Sequence, residues 1–402
     1  MNTLTKESLS KRLTLRYGLY QLFYFAATAG TGGFAATYLM DKGLAMSQIG
    51  LILAMINIVS CLLQPFLGDI ADRLKGFVLP KMLGILFLIA GVCYMVLQVF
   101  SPTAWGISVL YIVGGVTVSV ATAISNAVCA YYAKRNYQIN FGLGAAAGSL
   151  SYSLASLGLG YMISGLGVDW MIWITLLFLG ILICLVLGYP KVEERTQEMD
   201  KTKPHKGDTI SLISFSKKYK YFTGTVVGIM FIAMCHAMSE NYLINLFERM
   251  GGGSEHVGTA LFIACISAVP FLTVFDRVQA KTGVFILMRL SGIFYALKAF
   301  LLMQASTVTG VYLIVLLQSC TYGFMYPAIY YFAKDRIGDS DMAKGQALAM
   351  SLYTLGLAFG SYAGGKLIEV LGLNPMLFGA MLCAGVGAVL INLMIKKDDL
   401  KQ

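Results

Sequence analysis

The stretch Pro65-Phe66-Leu67-Gly68-Asp69-Ile70-Ala71-Asp72-Arg73-Leu74-Lys75-Gly76 decides how this chain is to be read. It ends an apolar run of spanning length and turns at once into charge. About one half-chain later the pattern returns: Pro270-Phe271-Leu272 closes another apolar run, and Asp276-Arg277 follows. A third echo pairs Ser149-Leu150-Ser151-Tyr152 with Ser351-Leu352-Tyr353. Each pair falls at the same place within its half, so the chain reads as a duplicated unit.

Working outward, the apolar runs number twelve: 17–38, 48–68, 81–100, 104–133, 141–165, 170–189, 221–249, 257–276, 283–304, 310–333, 343–370 and 375–395. A membrane-crossing helix needs about 20 apolar residues, and these runs supply it. Of 402 residues, 57% are hydrophobic and only 12% charged. A soluble domain carries roughly a quarter charged residues. That excludes an ordinary soluble enzyme, a disordered chain and a nucleic-acid binder. Long runs without alternation exclude a membrane β-barrel. The expected fold is therefore an all-α membrane protein of twelve transmembrane helices. It is read as a six-helix half over 1–189, a polar linker over 190–220 and a second six-helix half over 221–402.

The net charge of +10 is explained by where the basic residues stand. If the N-terminus is cytoplasmic, nearly all Lys and Arg fall in loops and tails on that side, and only Lys42, Arg249 and Lys366 fall opposite. The positive-inside rule then puts both termini in the cytoplasm. The N-terminal run has no small-residue cleavage site and reads as a retained helix. The eight cysteines all lie inside apolar runs, on different segments. Neither a disulfide framework nor a metal site is expected. No phosphate-binding P-loop, H-E-x-x-H or G-x-S-x-G occurs, so no cofactor and no hydrolytic activity are expected. Gly142-x-Gly144-x-x-Ala147-Gly148 mimics a dinucleotide loop but lies in an apolar run with no strand before it, and reads as helix packing. Gly30, Gly32 and Gly33 in the first run read as close packing or a flexible point.

The stretch Gly68 to Gly76 resembles the G-x-x-x-D-R signature of the major facilitator superfamily, with Lys75 where the family usually has glycine. The resemblance covers nearly the whole chain. It implies two six-helix halves that rock about a central site, with Gly68, Asp72 and Arg73 in a conformational latch. Within the superfamily the entry to segment five, Asn140-Phe141-Gly142 through Gly148 to Tyr152, is similar to that of oligosaccharide–proton symporters. The family's sugar-binding charges have no counterpart. Ala145 stands near the place of its arginine and Asn126-Ala127 at that of its glutamate. Tyr152 stands near the place of its stacking tryptophan.

Charged groups in the apolar core are few. Glu240 is the one acidic residue well inside a run; His236 and Lys298 join it. Each costs at least ~2.5–3.5 kcal/mol to insert, so each wants a partner or a wet cavity. His236 and Glu240 are four apart and share a helix face. At a rise of ~1.5 Å per residue, His236, Glu240 and Lys298 lie ~21, ~27 and ~22 Å from the same surface. They are expected to meet as a proton-coupling group, because burial and a neighbouring ammonium act on a carboxyl in opposite senses. The competing account is a static salt bridge. Arg289, nearer the surface, is read as snorkelling. Asn126, Tyr152, Asn241, Gln318, Tyr322 and Tyr326 are the candidate substrate contacts, each of which could equally be helix-to-helix hydrogen bonding.

The expected function is secondary transport by alternating access: proton-coupled symport of a neutral polar solute, a sugar, oligosaccharide or nucleoside. The alternatives are multidrug efflux or small organic-anion transport, and a non-transporting membrane sensor. The expected partners are a small-molecule substrate, protons and the lipid bilayer, with no nucleic acid. The expected setting is a monomer in a bacterial cytoplasmic membrane.

Overall fold

The computed structural model describes residues 3–73, 78–100, 102–133, 135–137, 139–190, 212–338 and 341–399. Among these residues there are helices and no strands. In chain order they are α1 (Thr3–Thr28), α2 (Ala35–Asp41), α3 (Met46–Arg73), α4 (Leu79–Val99), α5 (Ala104–Ala133), α6 (Phe141–Leu166), α7 (Asp169–Leu187), α8 (Leu212–Lys218), α9 (Lys220–Asn241), α10 (Leu243–Glu248), α11 (Ser254–Thr282), α12 (Val284–Gln304), α13 (Val308–Val315), α14 (Tyr322–Arg336), α15 (Met342–Leu371) and α16 (Leu373–Asp399). A π-helical turn, Ala29–Gly33, joins α1 to α2, and a 3-10 turn, Leu316–Ser319, follows α13. Nine of the described helical stretches are long and apolar enough to cross a membrane, which makes this a multi-pass membrane protein.

Three more long helices, α1, α6 and α15, fall outside that set. In α6 and α15 the cause is glycine and serine, which let backbones approach where lipid gives no hydrophobic drive between helices. On α6, Gly148 lies against the ring of Phe25, where a Cβ would come within 2.5 Å of it. On α15, Gly356 and Gly360 lie against the α9 backbone at Met230 and Met234. Three of the segments expected to be single helices are divided. Segment one holds the π-turn, segment seven breaks at Tyr242 between α9 and α10, and segment ten breaks between Val315 and Tyr322.

The chain forms two compact units, Met1–Glu194 with Leu243–Ile266, and Arg195–Tyr242 with Ser267–Gln402. The packing scheme inside them is the same. In the first unit α1 packs on α6 and α7, and α4 on α5 and α7. In the second, α9 packs on α15 and α16, and α12 on α14 and α16. Proline stands inside both second long helices, Pro65 in α3 and Pro270 in α11. The fifth helix of each set ends on a glycine that no other residue replaces without strain: Gly167 at φ 98° after α6 and Gly372 at φ 92° after α15. That region of backbone space is essentially closed to side chains. The duplication read from the sequence is thus visible as repeated packing and repeated helix endings.

Within the first unit, α6 and the beginning of α11 cross at glycine. A Cβ on Gly160 would stand 2.6 Å from the Ser254 carbonyl oxygen and 2.9 Å from the Gly258 Cα, so the two backbones touch without intervening side chains.

Candidate functional site

The second unit holds a polar cluster in an apolar surround. Its centre is Lys298, on α12 and 2% exposed. Its Nζ donates to Glu240 Oε1 at 2.5 Å and to Gln318 Oε1 at 2.7 Å. Glu240 comes from the last turn of α9 and keeps 15% of its side chain open. Its other oxygen, Oε2, makes no hydrogen bond among the described residues and is not sealed off. A buried ammonium is thereby compensated in charge by one carboxylate and in hydrogen bonding by one amide, which a buried cation requires.

Gln318 reaches this place because the segment after α13 is not α-helical. The 3-10 turn tightens the chain, and Thr321 takes φ −89° and ψ −88° before α14 begins. The break leaves backbone groups to be satisfied. Ser291 Oγ of α12 donates to the Thr321 carbonyl at 2.8 Å, and Thr321 Oγ1 donates to the Gln318 carbonyl at 3.3 Å. The helix carrying the lysine therefore also holds the break that supplies its amide partner.

Rings line one side of the cluster. His236 stands between Tyr295, edge-on at 5.9 Å, and Tyr322, stacked at 5.9 Å with planes 20° apart. Tyr326 stacks on Tyr322 at 5.1 Å and 21°. The result is a three-ring column whose last member, Tyr326, is 43% exposed. His236 Nδ1 is buried and has no hydrogen-bond partner among the described residues. Apolar ring faces beside a few polar groups are what a cavity for a small polar solute needs.

The expected residues divide as follows. Glu240, Lys298 and His236 come together, with Gln318 and Tyr322. Asn241 is engaged elsewhere: its Nδ2 donates to Ser361 Oγ at 2.8 Å. Asn126 is exposed on α5 of the first unit. Tyr152 lies on α6 against the π-turn, where a Cβ on Gly33 would stand 3.0 Å from its hydroxyl oxygen. Gly68 is half-buried on α3. Asp72 and Arg73 belong to α3, and their side chains lie outside the described residues. At the second copy of their motif, Asp276 accepts a hydrogen bond from the Tyr331 hydroxyl at 2.6 Å. Sequence reasoning misses Tyr295 and Ser291. Tyr295 has a signal, since it stands three residues before Lys298 on one helix face. Among the described residues no group of His, Cys, Asp and Glu could hold a metal ion.

A bundle of spanning helices around a buried, compensated charge is the architecture of a membrane carrier. The chain belongs to the MFS_1 like family, which matches residues 14–379. It is 25% identical over 411 residues to the uncharacterized transporter YwbF of Bacillus subtilis (strain 168), covering 95% of this chain and 94% of that protein. Its fold is similar to that of the nucleoside transporter NupG, solved as a point mutant, with TM-score 0.80 and 14% identity over 96% of this chain and 99% of that one. It is also similar to a bacterial homolog of the human lysosomal transporter Spinster in an inward-facing, unoccupied conformation, with TM-score 0.65 and 12% identity over 98% and 96%. A third likeness is to a POT family transporter in complex with 5-aminolevulinic acid, with TM-score 0.66 and 14% identity over 96% and 95%. By its family and fold the protein is a membrane transporter of the major facilitator type and not an enzyme.

Proposed function

We propose that this transporter carries a neutral polar solute, a sugar or a nucleoside, together with a proton. The observation that carries the reading is the Glu240–Lys298 pair with Gln318 on its far side. Glu240 Oε2 is the oxygen that takes the proton. While Lys298 is close, the carboxylate is held ionised. When α9 and α12 shift and the pair parts, the carboxyl binds a proton, and Lys298 keeps Gln318 as a neutral partner. The amide thus stabilises the separated state, which a two-member salt bridge would not. A static bridge would not need an open oxygen or the broken helix that delivers Gln318.

Tyr326, the exposed end of the column of His236, Tyr322 and Tyr326, offers its ring to the solute. While Glu240 is ionised it matches Lys298, and in that state the site carries no spare positive charge for an organic anion. The function of the nucleoside transporter with a similar fold supports the nucleoside choice. We infer twelve spans, the nine apolar ones plus α1 with α2, α6 and α15, with both termini cytoplasmic. The same reading gives two six-helix halves, 1–189 and 221–402, joined through 190–220. Gly68, Asp72 and Arg73 serve as the latch between conformations. The setting is the cytoplasmic membrane of a bacterium, with the protein acting as a monomer.

The test is uptake into proteoliposomes driven by an imposed pH gradient, with labelled uridine, adenosine, lactose and sucrose offered in turn. One class should accumulate, and collapsing the gradient with a protonophore should abolish accumulation. Accumulation that ignores the gradient would remove the proton from the account.

A further inference from the structure

Asn245, within the short helix α10, turns its amide toward sulfur. Its Nδ2 lies 3.8 Å from Met40 Sδ and 3.8 Å from Met46 Sδ. Met40 sits near the end of α2 and Met46 begins α3, so one amide bridges both arms of a helical hairpin. All three residues belong to the first compact unit. The hairpin itself is fixed in place. Lys42 Nζ stands 2.6 Å from Asp169 Oδ1 at the start of α7, and Gly43 turns the chain at φ 78°.

The amide is poorly served as it stands. A thioether sulfur is only a weak acceptor. At the other end of the amide, Oδ1 is buried with no hydrogen-bond partner among the described residues. A buried polar group left unpaired is costly, so Asn245 adds little to stability in this state. Its nitrogen carries two N–H groups and faces two sulfurs. Those sulfurs are within reach of a small solute: Met40 and Met46 are half-buried, and Asp41, Gly43 and Ala45 between them are exposed.

We propose that Met40 and Met46 form an oxidation site whose sulfoxide is captured by Asn245, so that an oxidant latches α10 to α2 and α3. A hydrogen bond from N–H to oxygen spans ~2.9 Å. An oxygen on either sulfur, met by the N–H at a bent angle, completes that span within the existing 3.8 Å separation. The oxidant class is a hypohalous acid. The sulfur lone pair attacks the oxygen of hypochlorous acid, and the S–O bond forms as the O–Cl bond breaks. Chloride leaves with the electron pair, and the hydroxyl proton goes to water. Sulfur is oxidised and chlorine is reduced to chloride. A sulfoxide ordinarily disrupts an apolar contact; here a donor is already in place, and oxidation strengthens the contact. This inference is independent of the coupling proposal.

The experiment treats the purified full chain in detergent with hypochlorous acid. Peptide mass spectrometry reads the sulfoxide at each methionine, and amide hydrogen exchange reads the opening of α10. Met40 and Met46 should be oxidised, and exchange over Leu243–Glu248 should slow about five-fold, the effect of one added hydrogen bond on a local opening. Treatment with methionine sulfoxide reductase should restore the original exchange. Asn245→Leu should still be oxidised at both methionines and show no slowing. The double variant Met40→Leu with Met46→Leu keeps every cysteine, so slowing that persisted in it would assign the effect to thiols and overturn the proposal. If Asn245→Leu does not fold, this double variant carries the test, since exchanging methionine for leucine conserves volume. Unmodified Met40 and Met46 beside other oxidised methionines would also overturn the proposal, as would faster exchange of α10 after oxidation.

Discussion

Lys298 and Glu240 stand on different helices, α12 and α9, and meet at 2.5 Å inside an otherwise apolar bundle. A pair of this kind is poor support for stability, because the loss of hydration on burial offsets most of the attraction. The coupling proposed for it needs its two members on separate helices, and α9 and α12 supply that.

Removing only the lysine should show the cost. Lys298→Ala leaves Glu240 uncompensated, and breaking a buried pair from one side costs roughly 3–5 kcal/mol. Thermal melting in detergent should fall clearly for Lys298→Ala. The double change Glu240→Gln with Lys298→Met should recover most of the loss. Equal melting of the single and double variants would show that the pair is not held as described.

The ring column predicts a split between affinity and turnover. Tyr326→Ala removes its exposed end and should raise the KM for the solute ~2–10-fold, the range given by an aromatic contact of ~0.5–1.5 kcal/mol. Tyr326→Phe should behave like the wild type. A fall in maximal rate at unchanged KM would place Tyr326 outside the solute site.

The crossing of α6 and α11 has no room for a side chain. A Cβ on Gly258 would meet the Ser156 carbonyl oxygen and stand 2.9 Å from the Gly160 Cα. Gly258→Val should cost ~1–3 kcal/mol, as overpacking does, seen as a lower melting temperature. Substitution at Gly158, which has open space around it, should cost far less. Equal effects at the two positions would contradict the close crossing.

At the boundary between α8 and α9, Lys218 Nζ donates to Asp341 Oδ2 at 2.7 Å and the Tyr219 hydroxyl donates to it at 3.1 Å. The Lys218 hydrogen bond, with that of Tyr219, holds the Asp341 carboxyl below its ordinary value. Lys218 is raised, first by the same bond. A depressed acid stabilises above its unfolded pKa, roughly 3.9 for aspartate, and that stability is lost as pH falls through the folded value. Asp341→Asn should therefore flatten the acid limb of a melting-temperature profile below about pH 4 and change its shape little between about pH 5 and 8. An identical acid limb in the variant would show that the contact carries no linkage.

Much of this site is legible in the sequence, and particular residues show why. Glu240 and Lys298 can be paired by counting helical rise, because α9 and α12 run unbroken through their length up to those positions. Tyr322 and Tyr326 can be paired because they share one regular helix. Gln318 cannot be assigned to Lys298, because regular spacing puts it on the face of Tyr322 and only the 3-10 turn re-aims it. Asn241 looks free in the sequence because its partner, Ser361, lies 120 residues on. For Gly30, Gly32 and Gly33 the sequence offers close packing or a flexible point. The structure shows close packing at two of them, Gly30 against Thr175 and Gly33 against Tyr152, within a π-turn. The repeated Pro and Asp-Arg positions announce the duplication, whereas Gly167 and Gly372 become equivalent only once their backbone angles are known.

The central claim is that Glu240 takes the transported proton. The most direct test is external pH in a weakly buffered suspension of de-energised cells expressing the protein, with sugars and nucleosides added one at a time. The account predicts alkalinisation on adding one class of solute, abolished in Glu240→Gln while labelled solute still exchanges across the membrane. Alkalinisation that persists in Glu240→Gln would contradict it, as would uptake of labelled solute by the wild type with no change in pH.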